Sequence, residues 1–225
     1  MFTYLFRHSD GTEQRLSTEP QDTPPDLDAY PWVALHVHQC PTCPLTPDER
    51  AVCPPAADLI PVVEAFADIT STEQVEVEVI GPHRTYLHRC DVQTGLRALM
   101  GLLMARSACP RMAPLRGMAA MHLPFASRVE TAYRVAGAYM LRQFFAHKDN
   151  QPVDFELDGL RTFYAELQSI NRAFAHRLRG ASRQDASVNA IAALSSLSNL
   201  VTFSLDDGLE ELRAIIEGAD VTEED

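Results

Sequence analysis

The sequence predicts an α+β fold: a small N-terminal, mainly antiparallel sheet with one crossing helix, packed on a C-terminal helical bundle. Three observations carry that prediction. Period-two alternation falls in the first ninety residues. It is clearest over Gln74–Ile80, where Val75, Val77 and Val79 face one way and Glu76 and Glu78 the other, the pattern of a half-buried strand. From Val92 onward the apolar residues recur at helical spacing instead. Between the alternating segments lies a proline-rich stretch, His36 to Pro55, that carries three of the five cysteines.

Residues 2–7 and 13–17 are expected to form a hairpin around Ser9-Asp10-Gly11, followed by a polar, proline-rich loop over 18–31. Trp32–His38 alternates and predicts a strand, with Val33, Leu35 and Val37 on one face and Trp32, Ala34, His36 and His38 on the other. A helix is expected from about Asp58 to Asp68, with Asp58 as N-cap, Pro61 in the first turn and Leu59, Val62, Val63 and Phe66 as its apolar stripe. Gly81-Pro82 turns the Gln74–Ile80 strand into a partner, Arg84–Cys90.

Val92, Leu96, Leu99 and Leu103 define the next helix, which stops at Ser107-Ala108-Cys109-Pro110. A short irregular or helical piece follows over 110–126. Ser127-x-x-Glu130 is a capping box opening a helix to about His147, with Val129, Tyr133, Ala136, Met140 and Phe144 as core stripe. After a break at Asp149–Pro152, Leu160, Phe163, Leu167, Ile170, Phe174 and Leu178 mark a helix that Gly180 ends. Val188, Ile191, Leu194, Leu197 and Val201 mark another, and Leu209, Leu212 and Ile216 a last short one. The expected organisation is a sheet half over 1–91, a helical half over 92–217, the two forming one integrated domain, and a disordered acidic tail over 218–225.

At 225 residues the chain can bury a full core without a disulfide or metal staple. Its net charge of −12 disfavours a nucleic-acid or anionic-membrane surface, because phosphates are repelled overall. Five cysteines, sparse and odd in number, point to a reducing compartment. The N-terminal MFTYLFRHSDG lacks a basic region followed by a long apolar run, and the most apolar stretch, Leu96–Ala105, is short of a membrane span. A cytoplasmic protein without a signal peptide is expected.

Four of the five cysteines precede proline: Cys40, Cys43, Cys53 and Cys109. Proline drives the residue before it into extended conformations, so each thiol sits on a stiff backbone outside a helix interior. Cys40-x2-Cys43 is the pair spacing of tetrahedral zinc sites and of iron–sulfur clusters. Cys53 adds a third thiolate, and Cys109 a fourth, with His36 or His38 as substitute ligand. Structural zinc is the leading cofactor, an iron–sulfur cluster the alternative, and thiolate haem ligation comes third. Unligated thiols and a redox dithiol or disulfide stand as the metal-free readings.

Arginines crowd the same neighbourhood. Arg106, Arg111 and Arg116 flank Cys109, and Arg128 and Arg134 lie downstream. Arg111, Arg116, Arg128 and Arg134 with His122 form a candidate anion pocket, set against a plain solvated surface with a Glu130/Arg134 pair. No phosphate-cradling loop, G-x-S-x-G elbow or H-E-x-x-H is present.

The runs HQCPTCPL, SACP, MHLPFAS and ETAYR resemble those of an uncharacterised bacterial family, a domain of unknown function, over most of the chain. The resemblance implies no mechanism. The family form is Ser-Gly-Cys-Pro where this chain has Ala108, which argues against a positive-φ turn before Cys109. The expectation is a binding or regulatory module with a thiolate site where the two halves meet. The partner would be another protein or a small anionic ligand. The competing readings are an iron–sulfur redox sensor and a metal-dependent enzyme using His122 or Glu130 to carry protons.

Overall fold

The computed structural model describes residues 1–19, 25–181, 183–207 and 209–218. The fold is α+β: a four-stranded antiparallel sheet, then a mostly helical C-terminal region. The strands β1 (Thr3–His8), β2 (Glu13–Ser17), β3 (Gln74–Ile80) and β4 (Thr85–Asp91) lie in the order β2-β1-β3-β4. The helices are α1 (Pro54–Asp58), α2 (Ile60–Ala65), α3 (Val92–Arg106), α4 (Arg116–Ala120), α5 (Arg128–Lys148), α6 (Asp158–Arg179), α7 (Ala186–Asp206) and α8 (Glu210–Ile216). The chain divides into two compact units, Met1–Phe125 with Ser169–Ser195, and Ala126–Gln168 with Ser196–Asp225.

In the first unit the register pairs Tyr4 with Val79 and Phe6 with Val77, and all four side chains are buried on one face of the sheet. Arg7, on the other face, pairs with Glu13 and Glu78. Gly11, at φ +87°, makes the β1–β2 turn in a conformation that favours glycine. Phe66 meets Phe6 edge-on, with ring centroids 4.8 Å apart. Asp91 caps α3 by accepting from the Thr94 N–H, and Val92, Leu96, Leu99 and Leu103 are buried as the spacing predicts. Gly95 lets α3 lie directly on the sheet, since a Cβ there would stand 2.5 Å from Phe6 Cε1.

Two expected elements of this unit are corrected. Trp32–His38 is not a strand. Pro31–Val33 is a 3-10 turn, Ala34 makes one isolated bridge to Val52, and the chain turns again from Leu35. Pro31 fixes φ at a helical value and brings no N–H, which favours a helical turn over a ladder. His38 takes φ +43°, so the strand spacing expected between His36 and His38 does not hold. The Asp58–Asp68 helix is also different. Pro54 starts α1 four residues earlier, Asp58 ends it rather than capping it, and α2 restarts after Leu59. Pro61 has no N–H to bond the carbonyl of Ala57, so one continuous helix is interrupted there. The stripe survives the break: Leu59, Val62, Val63 and Phe66 are all buried.

In the second unit, Ser127 and Glu130 form both bonds of the capping box that opens α5. The expected core stripe of α5 is corrected in part. Ala136 is buried as expected, but Tyr133 is 55% exposed and Phe144 51%, and Thr131, Ala132 and Val135 are buried in their place. Leu160, Tyr164 and Leu167 of α6 and Val201 and Leu205 of α7 are buried. By length and composition α7, rather than Leu96–Ala105, is the one helix among the described residues apolar enough to cross a membrane; 33% of that window is buried. Apart from Gly218, the acidic tail expected over 218–225 lies outside the described residues, as do residues 20–24 of the proline-rich loop.

Candidate thiolate site

The site is built in the first unit from a pinched loop. The Leu35 N–H bonds the Ala51 carbonyl at 2.8 Å and the Cys53 N–H bonds the Val33 carbonyl at 2.9 Å, closing the base of the excursion between them. Cys40 and Cys43 lie within it, Cys53 at its base. The Cys43 N–H returns to the Cys40 carbonyl at 3.0 Å, a four-residue turn with Pro41 at its second position, where proline's φ is already correct. Cys53 and Cys109 each precede a proline that starts a helical turn, and both are extended, at φ/ψ −70/115° and −69/124°. Ala108 takes no positive φ.

These segments converge. Cys40, Cys43, Cys53 and Cys109 line a single cavity of about 20 Å³ together with Arg111 and Arg177. Ile170 and Phe174 of α6 supply apolar wall. A space of that size takes one ion or one water, not an organic molecule. All four thiols are free. Burial, reinforced by Cys53, Cys43 and Cys109, pushes the Cys40 thiol up to about 12, and burial pushes Cys53 to about 11. Without a cation beside them Cys40 and Cys53 therefore stay protonated near neutrality. Among the described residues, no three His, Cys, Asp or Glu side chains are arranged to hold a metal ion as they stand.

Arg177 is a cavity-lining charge that the sequence reading missed. It is 2% exposed, donates through Nη1 to the carbonyls of Trp32 and Ala34, and lies over the Phe174 ring. Its Nε is buried with no hydrogen-bond partner among the described residues. Burial pulls its pKa below the ordinary value while Cys53, Cys40 and Cys43 push it back up, and no carboxylate among the described residues pairs with it. A signal was available: Arg177 follows Phe174 by three and Ile170 by seven, which places a charge on the buried stripe of α6. The Thr42 hydroxyl, between Cys40 and Cys43, is a second buried polar atom lacking a partner.

The other candidates fall elsewhere. His36 is exposed and His38 stacks on His176 at 5.8 Å; neither lines the cavity. Cys90 sits on β4. Of the five anion-pocket residues, Arg111 lines the thiol cavity and donates from Nε to the Thr42 carbonyl at 2.6 Å. Arg116 donates to the Ser107 carbonyl and lines a different cleft. Arg128, in the second unit, pairs with Glu211 and reaches Ser204, and Arg134 lies in the same helix. His122 bonds the buried Tyr4 hydroxyl at 2.6 Å, and Glu130 is engaged in the capping box.

No curated protein and no solved structure matches this chain. Residues 2–217 match the model of a family described as a domain of unknown function, DUF6901, and the chain belongs to that family.

Proposed function

We propose that this member of the family is a cytoplasmic binding or regulatory module whose first unit is fastened by a metal ion, zinc, on Cys40, Cys43, Cys53 and Cys109. The observation that carries the reading is Arg177: a guanidinium that is always charged is buried in the wall of the cavity the four cysteines line, held by backbone carbonyls, with no carboxylate among the described residues to balance it. An unpaired buried charge is costly, so the folded state needs negative charge at that spot. Thiols pushed up by burial do not supply it by themselves. A divalent cation does, because a coordinating thiol is deprotonated outright. Four thiolates on a divalent ion leave two negative charges, and Arg177 with Arg111 offers two positive ones.

The donor set fits zinc, which takes closed sites made of four cysteine thiolates. The four cysteines already line one cavity, although their side chains are not arranged to hold a metal as they stand. When bound, zinc in a closed site supplies folding energy, not a reaction. This chain's own part is to hold the Cys40–Cys43 turn, the start of α1 and the turn after Cys109 in register. A cavity of about 20 Å³ favours one ion over an iron–sulfur cluster. The enzyme reading has less support, because neither His122 nor Glu130 lines the cavity.

Elemental analysis of purified protein tests this. About one zinc per chain, colourless, and lost in Cys40→Ser, is the expected result. Brown visible absorbance with iron and sulfide would replace zinc by a cluster, and full stability with no metal in protein purified without chelator would end the proposal.

A further inference from the structure

A second void in the first unit is assigned by nothing above. It is an open cleft of about 720 Å³. Its walls include Leu16 at the end of β2, Val52, Ala57 of α1, Val62 of α2 and Leu103 of α3, all apolar. Three guanidiniums, Arg50, Arg106 and Arg116, converge on it, against two carboxylates, Asp58 and Glu19.

Acidic residues outnumber basic ones 31 to 19 in this chain, so arginines have ample carboxylates to pair with. These three do not: none makes an ion pair among the described residues. Arg106 donates instead to the Thr18 hydroxyl at 3.0 Å, and Arg116 to the Ser107 carbonyl at 3.4 Å. The Arg50 side chain makes no hydrogen bond among the described residues. Arg50 and Arg106 line the cleft with Asp58, and both favour its charged form. The volume falls within the range of pockets that bury a small organic molecule, as does the design: apolar walls with a few converging polar groups. Planar guanidiniums recognise carboxylate and phosphate through paired N–H donors.

We propose that this cleft binds a small organic anion, a carboxylate or phosphate head on an apolar body, with Arg50 and Arg106 holding the head and Arg116 adding charge at the rim. The proposal does not rest on the metal reading. It does touch it, because Ala51, Val52, Ser107 and Ala108 line the cleft immediately before the cavity cysteines Cys53 and Cys109, and Pro54 lines both voids.

The test is titration calorimetry on the full chain with 1-naphthyl phosphate, 1-naphthoate, inorganic phosphate and the neutral 1-naphthalenemethanol. The expected result is saturable binding of a naphthyl anion with Kd of about 1 mM or tighter, and weaker binding of inorganic phosphate and of the alcohol. Which naphthyl anion binds tighter identifies the head group. Arg50→Glu should weaken that binding about tenfold or more, and Ala57→Trp, which fills the cleft, should do the same. Arg50 is exposed, so its substitution leaves the fold intact by circular dichroism. Three outcomes overturn the proposal: neither naphthyl anion binds, the alcohol binds as tightly as the anions, or binding is unchanged in both variants.

Discussion

Pro54 forms part of the wall of both the thiol cavity and the arginine cleft, so the two voids are built on the same backbone. One holds about 20 Å³ and the other about 720 Å³. In the first, the Arg177 guanidinium is buried beside four cysteines and bonded to backbone carbonyls; in the second, three exposed arginines line the walls. Charge is expensive in the first and cheap in the second, because water screens an exposed guanidinium and not a buried one. On the proposed reading, the charge in the thiol cavity is balanced by bound metal and its removal costs stability. The arginine cleft can stay unfilled without destabilising anything.

That contrast orders the experiments. The largest effect belongs to metal removal. Chelation, or Cys40→Ser, should cost the folded state several kcal/mol, measured by denaturant unfolding, with metal content falling in parallel. If unfolding is indifferent to chelator, the cavity is not a balanced-charge site and the contrast with the cleft fails.

Arg177→Met should cost the metal-loaded protein about 3–5 kcal/mol, the scale of breaking a buried pair by removing one partner. In metal-free protein the same substitution removes an uncompensated buried charge along with the bonds to the Trp32 and Ala34 carbonyls, so it should cost clearly less than in the loaded protein. A double-mutant cycle with Cys40→Ser measures that difference.

The pH response should also reverse with loading. In metal-free protein the folded thiols are raised, Cys53 to about 11 and Cys40 to about 12, against about 8.5 for an unperturbed thiol. Above about pH 8.5 the unfolded chain releases protons that the folded chain keeps, so stability is full below that value and is lost as pH rises toward 12. Metal-loaded protein has already lost those protons. It should hold through the alkaline window and lose its metal on acidification, as protons compete for the thiolates. Thermal unfolding across pH with and without metal distinguishes the two curves.

The smallest effect sharpens the comparison from the other side. Arg50→Glu should change stability by less than about 0.5 kcal/mol and leave metal content untouched, since Arg50 is exposed and makes no hydrogen bond or ion pair among the described residues, only a screened attraction to Asp58. A loss of metal in this variant would show that the two voids act as one site.

Much of this architecture was legible in the residues. The strands β1 to β4 follow from alternation and turn chemistry, and α3 from its apolar spacing and its capping Asp91. The four Cys-Pro pairs pointed to one centre because proline holds each cysteine outside a helix interior, and all four line one cavity. Trp32–His38 misled because seven alternating residues fit a strand by pattern while Pro31 denies them a ladder. The α5 stripe was right at Ala136 but turned about a quarter of the way round the helix from the buried face, which also carries Thr131, Ala132 and Val135.

The chain by itself determined the local choices: where strands alternate, where helices begin, and which cysteines are held outside helices. Those rest on backbone sterics and capping, which act within a few residues. What needed the tertiary structure was who meets whom. Arg177 lies 68 positions beyond Cys109, and Arg50 lies 56 before Arg106. Only folding brings them to the same voids, because the balance of buried charge is struck between residues that no local pattern connects.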